Sequence, residues 1–277
     1  MSFPVYPFGF LGSGLRTNFV ISEDVENWVL LDEMGGVPLS AVVVTIEVES
    51  GVRVYGGAGT PGMDLTGLPD GSTVNLTNAG YISGKGGNGG TGGISGADGV
   101  SCSAADANPG QAGTNAIELD SDIILNIDNP GAFILGGGGG GGGGGSAARE
   151  AEGSEGWGGG GGGGAGSGLG GNGPGNADSG TAGSDTPTDV TGANGTGGAG
   201  GESLAGTTDT GGDGGDGGDW GTAGQNGDVS PTSGTNDCTG AVGTGGAAGK
   251  AIEYNGASPT VDISAGGSSP NLQGATS

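Results

Sequence analysis

Three aspartates at a three-residue spacing, Asp213, Asp216 and Asp219, are the chain's most regular set of chemically active side chains. They stand in GGDGGDGGDW at 211–220, and carboxylates so arranged invite comparison with the calcium-binding nonapeptide G-G-x-G-x-D-x-U-x. Gly211, Gly212, Gly214 and Asp216 fit that pattern. The aliphatic position is Gly218, however, and only one copy exists where tandem copies build each ion site. At three residues per turn the carboxylates stand about 9 Å apart along one edge. That is too far to share an ion that holds its oxygens at about 2.3–2.6 Å. The three are weak metal candidates, and a solvated acidic edge is the stronger reading. Histidine is absent, which removes the commonest general base and metal ligand. No G-x-S-x-G, H-E-x-x-H or paired-cysteine motif occurs, and no strand leads into a GK[ST] phosphate cradle. Neither enzyme activity nor a cofactor is expected.

Composition narrows the class further. The chain has 277 residues, of which 78 are glycine and 12 proline, with 4% aromatic residues and a net charge of −25. Collagen would need a strict period and far more proline. A surface this acidic, with five bases in all, excludes phosphate-backbone contact and so nucleic acid as a partner. No run of 18 apolar residues exists, so no membrane insertion is expected. The start MSFPVYPFGF lacks the basic and long apolar regions of a signal peptide. Cys102 and Cys238 sit in separate loop-like stretches, either as free thiols or as a single inter-loop bridge.

The elements that must position these residues are of two kinds. Residues 1–40 are irregular and aromatic, and FVISEDVENWVLLDEM fits one helix or two short strands. AVVVTIEVES alternates and is β-branched, so TIEV-ES-GVRVYG reads as a strand, a tight turn and a strand. VNLTNAGYISG at 74–84 has the same build and recurs as LNIDNPGAFILG at 125–136. Asn75 then matches Asn126, Asn78 matches Asn129, and Gly80 matches Gly131. GQAGTNAIELD at 110–120 resembles GAAGKAIEYN at 246–255, and VDI at 261–263 echoes 123–127. Such repeats imply stacked units.

The second kind is glycine. Gly136–Gly145 is unbroken, and Gly158–Gly164 adds seven more. Glycine recurs every third residue at 84–99, 192–201, 212–227 and 240–249. A flexible linker is the ordinary reading of such tracts, but a period of three also suits polyglycine II helices. Such a helix has no internal hydrogen bonds. Fixing a backbone residue costs about 1–2 kcal/mol against about 0.5–1.5 kcal/mol from a net hydrogen bond. It survives only in a bundle, with the decaglycine at the centre. The expected fold is a mainly β N-terminal module followed by a bundle of polyglycine II helices with short strands, and essentially no α-helix in the glycine-rich part. The expected boundary falls between 1–70 and 71–277. Breaks at 101–109, 146–155, 178–190 and 228–238 read as reversals. Trp157 and Trp220, each beside a glycine tract, serve either as lids over glycine backbone or as exposed contacts at a binding tip.

The segments TIEVESGVRVYGG, NLTNAGYISGKGGNGG and GTNAIELDSDIILNIDNPGAFILGGGGGGGGGG together resemble glycine-rich tail-tip and tail-fibre adhesins of tailed bacteriophages. The resemblance runs over roughly residues 18–255 and implies a virion protein that touches the host surface. Residues 1–70 are then the module that anchors to other tail proteins. Phage fibres are commonly trimers and a polyglycine bundle can also close within one chain, so a homotrimer is favoured over a monomer with both left open. The partner at the other end is a host cell-surface receptor. Contact candidates are Trp157, Trp220, Asp185, Thr186, Asp189, Thr232 and Asn236. Competing readings are a head-decorating fibre of the same virion, a glycine-repeat cell-surface protein and an ice-binding bundle, the last disfavoured by the irregular acidic edges.

Overall fold

Every second side chain of VVTIEV is buried, from Val44 to Val48, the period-two mark of a strand with one face on a core. That strand belongs to a repeating series in the computed structural model, which describes residues 15–97, 102–149, 154–175, 177–184, 210–230, 238–264 and 272–276. A first coil holds β1 (Asn18–Ile21), β2 (Val25–Glu26) and β3 (Trp28–Val29), then the short helix α1 (Leu30–Met34). The second holds β4 (Val43–Val48), β5 (Arg53–Tyr55) and β6 (Met63–Asp64). The third starts with β7 (Thr73–Asn78) and β8 (Tyr81–Ser83), departs through β9 (Ser95–Ala97) and β10 (Cys102–Ala104), and returns at β11 (Ile117–Glu118). The fourth starts with β12 (Ile124–Asp128) and β13 (Phe133–Leu135). It departs through β14 (Ala147–Arg149), β15 (Ser154–Gly156) and β16 (Cys238–Thr239), and returns at β17 (Ile252–Glu253). β18 (Thr260–Ser264) and β19 (Leu272–Gln273) close the series.

Equivalent strands of successive coils pair in parallel. The orders are β1-β4-β7-β12-β18, β2-β5-β8-β13-β19 and β3-β6-β11-β17. The result is a three-faced parallel β-solenoid. Inward side chains stack in register, as in the column Phe19, Ile46, Leu76, Ile127, and merge into one apolar core with Trp28, Val54, Met63, Ile82, Ile117 and Ile252. Burying each such side chain contributes about 1.5–3 kcal/mol. The boundary expected at residue 70 runs through these sheets, since β4 pairs with β7 and β6 with β11. FVISEDVENWVLLDEM resolves into three strands and one helical turn and a half, because the first coil bends twice within a dozen residues, 18–29.

The internal repeats are the coils. Asn126 lies beside Asn75 and donates from Nδ2 to its Oδ1 at 2.9 Å. Asn78 donates likewise to Asn129 at 2.8 Å. The proposed match of Gly80 with Gly131 does not hold. Tyr81 pairs with Phe133, so Gly80 aligns with Ala132, and Gly131, at φ 74°, is the extra residue of its turn.

Both departures leave at the same corner and consist of glycine tracts that run out and back. Gly136 donates to Gln273 on β19, and the nine N–H groups from Gly137 to Gly145 then address three segments in rotation. Gly137, Gly140 and Gly143 donate to Thr114, Gln111 and Asn108. Gly138, Gly141 and Gly144 donate to Ala165, Gly162 and Gly159. Gly139, Gly142 and Gly145 donate to Thr222, Gln225 and Asp228. Their carbonyls accept from three further segments: 87–93, 212–221 and 243–249. The decaglycine is thus buried along its whole length and bonded on six sides. A Cβ on Gly141 would lie 1.9 Å from the Gly215 oxygen, and one on Gly140 would lie 2.0 Å from that of Asn88. No side chain fits there.

Glycine content follows the number of neighbours. Gly158–Gly164 bonds to the passes at 87–93, 138–144, 168–171, 178–184 and 212–218 and is also unbroken glycine. The pass 211–219 buries Gly211, Gly212, Gly215, Gly217 and Gly218 and turns Asp213, Asp216 and Asp219 outward. On the rim, 240–249 buries only Gly243, Gly246 and Gly249 in its described three-residue frame. Two expectations change here. DSGTAGS at 178–184 is a pass and not a reversal, bonded through Asp178, Thr181 and Ser184 to Gly160, Gly163 and Gly166. The tract 212–227 is two antiparallel passes, joined by a turn at Asp219–Thr222 in which Gly221 has φ 65°.

Candidate functional site

The bundle has a near end, against the solenoid at Gly136, and a far end beyond Gly145. At the far end the small strands meet: β9 pairs with β10, while β14 lies between β15 and β16. Ser146, the first residue after the decaglycine, is buried there, its Oγ within 3.1–3.2 Å of the Ala105 and Ile94 carbonyls. Its own carbonyl accepts from Gly240. This serine ties three far-end segments together, and the sequence signal for it was its position at the end of the glycine run. Cys238, on β16, is disulfide-bonded; the chain's other cysteine is Cys102. Of the two alternatives left open by sequence, the bridge is therefore the one formed at Cys238. A cleft of about 400 Å³ opens beside these strands, lined by Asp106, Ser146, Val229, Ser230, Thr239 and Val242.

The tryptophans occupy opposite ends. Trp157 is half-buried at the far end, donates from Nε1 to Ser95 O at 2.8 Å, and covers Gly175, which has φ 61°. Trp220 is 2% exposed at the near end, packed with Leu135, Ala165 and Phe133 over Gly166. Its ring therefore seals the junction of bundle and solenoid. The candidates Asp185, Thr186, Asp189, Thr232 and Asn236 lie outside the described residues, as does the glycine set at 192–201.

The three aspartates share the outer edge of one pass, with Asp213 exposed and Asp216 and Asp219 half-buried. Burial raises the Asp219 carboxyl above its usual value. Among the described residues no group of three or more potential ligands is placed to hold a metal ion. No described helix is long and apolar enough to cross a membrane. The far-end cleft sets the hydroxyl-bearing residues Ser146, Ser230 and Thr239 beside Asp106.

Residues 16–274 match the family described as phage tail fibre adhesin Gp38. The chain belongs to this family. It is a structural virion protein of the phage tail fibre with an adhesin role. No curated protein matches it. Among solved structures it is similar to a chain of the gp37-gp38 adhesin tip complex of the bacteriophage S16 long tail fiber. Identity is 22% and the TM-score 0.45, over 95% of this chain and 86% of that one.

Proposed function

We propose that the glycine passes are polyglycine II helices and that the bundle is a rigid mast presenting far-end loops to a receptor on the host cell. The observation that carries this reading is the rotation of the decaglycine's hydrogen bonds among three donor-side and three acceptor-side neighbours. A period of three with every bond made to another strand is what that helix requires. Loops on such a support can vary without disturbing a side-chain core, because the core has none. Receptor contact then falls to the far-end segments, with Trp157 at their edge and Asp185, Thr186, Asp189, Thr232 and Asn236 as the remaining candidates. No enzymatic step is assigned.

The opposite end supplies the anchor. β1, β2 and β3 begin the three sheets, and no described strand pairs with their outer edges. Open strand edges are ready-made pairing surfaces, and we assign them to another tail-fibre protein. The solved neighbour, itself from a gp37-gp38 complex, accords with a tail-fibre partner. The described passes close their backbone bonds within one chain, and we assign the contacts of a homotrimer to the solenoid. Purified protein should coat host cells. Exchange of residues 229–239 should abolish coating, while Asp219→Asn at the near-end turn should leave it intact. Loss of coating by the near-end change alone, in folded protein, would contradict the assignment.

A further inference from the structure

Two clefts at the near end, far from the loops assigned to the receptor, share one lysine. The first, about 210 Å³, is lined by Glu26, Tyr55, Ser83, Lys85 and Ser167. The second, about 220 Å³, is lined by Lys85, Asn88, Gln111 and Thr114. Between them runs the loop 56–59, whose low ridge carries no side chain larger than that of Ala58.

We infer that the paired clefts bind a saccharide carrying one carboxylate, with Lys85 as the residue that recognises the acid group. Charge decides the orientation. Lys85 is one of five bases in a chain of net charge −25. Among the described residues it makes no ion pair, whereas Lys250 pairs with Glu253 at 2.6 Å. Arg53 and Arg16 are placed over the rings of Tyr55 and Phe19. An ammonium left half-buried and unpaired in an acidic protein is a local anion site. Glu26 in the first cleft repels a second negative group, so the neutral end of the sugar lies there, where a carboxylate accepts from hydroxyls. The second cleft lacks an acid and offers the amides of Asn88 and Gln111.

The remaining lining suits a sugar ring. Tyr55, with its ring centroid 5.5 Å from the Arg53 guanidinium carbon, presents an aromatic surface to C–H groups. Ser83, Ser167 and Thr114 add hydroxyls, although the Thr114 Oγ1 already accepts from the Lys85 N–H at 2.7 Å. The Lys85 backbone is fixed on both sides, its carbonyl accepting from Thr114 at 2.8 Å. Its side chain can therefore be changed without loosening the pass that carries it.

Calorimetric titration of the full chain with D-galacturonate and D-galactose tests this. The acid sugar should bind in the millimolar range and at least about tenfold tighter than the neutral one. Lys85→Gln should erase that preference, Lys85→Arg should keep it, and Lys250→Gln should keep it. Absence of binding by both sugars, equal binding by the native protein, or a preference that survives Lys85→Gln would each overturn the inference. Thermal midpoints measured alongside confirm that the variants are folded.

Discussion

The solenoid and the bundle solve the same problem, a dry interior, with opposite materials. In the solenoid, columns such as Phe19–Ile46–Leu76–Ile127 fill the space with side chains, and the main chain bonds along the sheet in two directions. In the bundle the main chain itself is the filling, bonded in up to six directions, and a side chain is admitted only where a neighbour is missing. The solenoid is thus sensitive to atoms removed, and the centre of the bundle to atoms added. Dispersion and hydrogen bonding at close approach replace apolar burial as the source of cohesion there.

Adding one methyl at the bundle's centre should be the largest single effect. Gly141→Ala places a carbon 1.9 Å from a carbonyl oxygen that is fixed by its own bonds. The expected loss is about 4 kcal/mol or more, at the upper end for point mutants, read from the denaturation midpoint. Removing three carbons from the solenoid core is the mirror experiment. Leu76→Ala, at a side chain 1% exposed, should cost about 3 kcal/mol while leaving amide protection in 136–145 unchanged. If both variants lose protection together, the two interiors form one cooperative unit and the contrast weakens.

Smaller effects sharpen the edge of the comparison. Asp219 has its carboxyl raised by burial at the near-end turn, so the folded state holds its proton more tightly than the unfolded chain. Stability should therefore fall as pH rises through the folded value and be recovered below it. Asp219→Asn should flatten that slope and stabilise the protein at neutral pH, seen in thermal midpoints between about pH 3 and 7. Gln225→Ala, at an exposed side chain on the return pass beside the decaglycine, should change stability by no more than about 0.5 kcal/mol. The pair Gly141→Ala and Gln225→Ala therefore adds or trims a few atoms on neighbouring passes with an expected difference of several kcal/mol.

Much of this was legible in the residues. Alternation in VVTIEV and TVNLTN marks strands because burial on one face has period two. The repeats at 74–84 and 125–136, and at 110–120 and 246–255, are legible because stacked coils demand matching side chains in register, as with Asn75 and Asn126. The coil topology was hidden, because β13 and β17 belong to one coil yet are separated by residues 136–251. The turn at Asp219–Thr222 was hidden for a subtler reason. It occupies about one three-residue unit, so Gly218, Gly221 and Gly224 keep their period while the chain reverses. DSGTAGS looked like a break because a rim pass needs glycine only once in three residues. The role of Ser146 depends on carbonyls from Ile94 and Ala105, partners that local sequence does not place.

Amide hydrogen exchange across Gly136–Gly145 in the intact protein tests the central claim most directly. The account predicts slow exchange at all ten amides, because each glycine is buried and its N–H donates to a carbonyl of a neighbouring segment. Exchange at the rate of an unstructured chain through that stretch would show a tether in place of a core and contradict it.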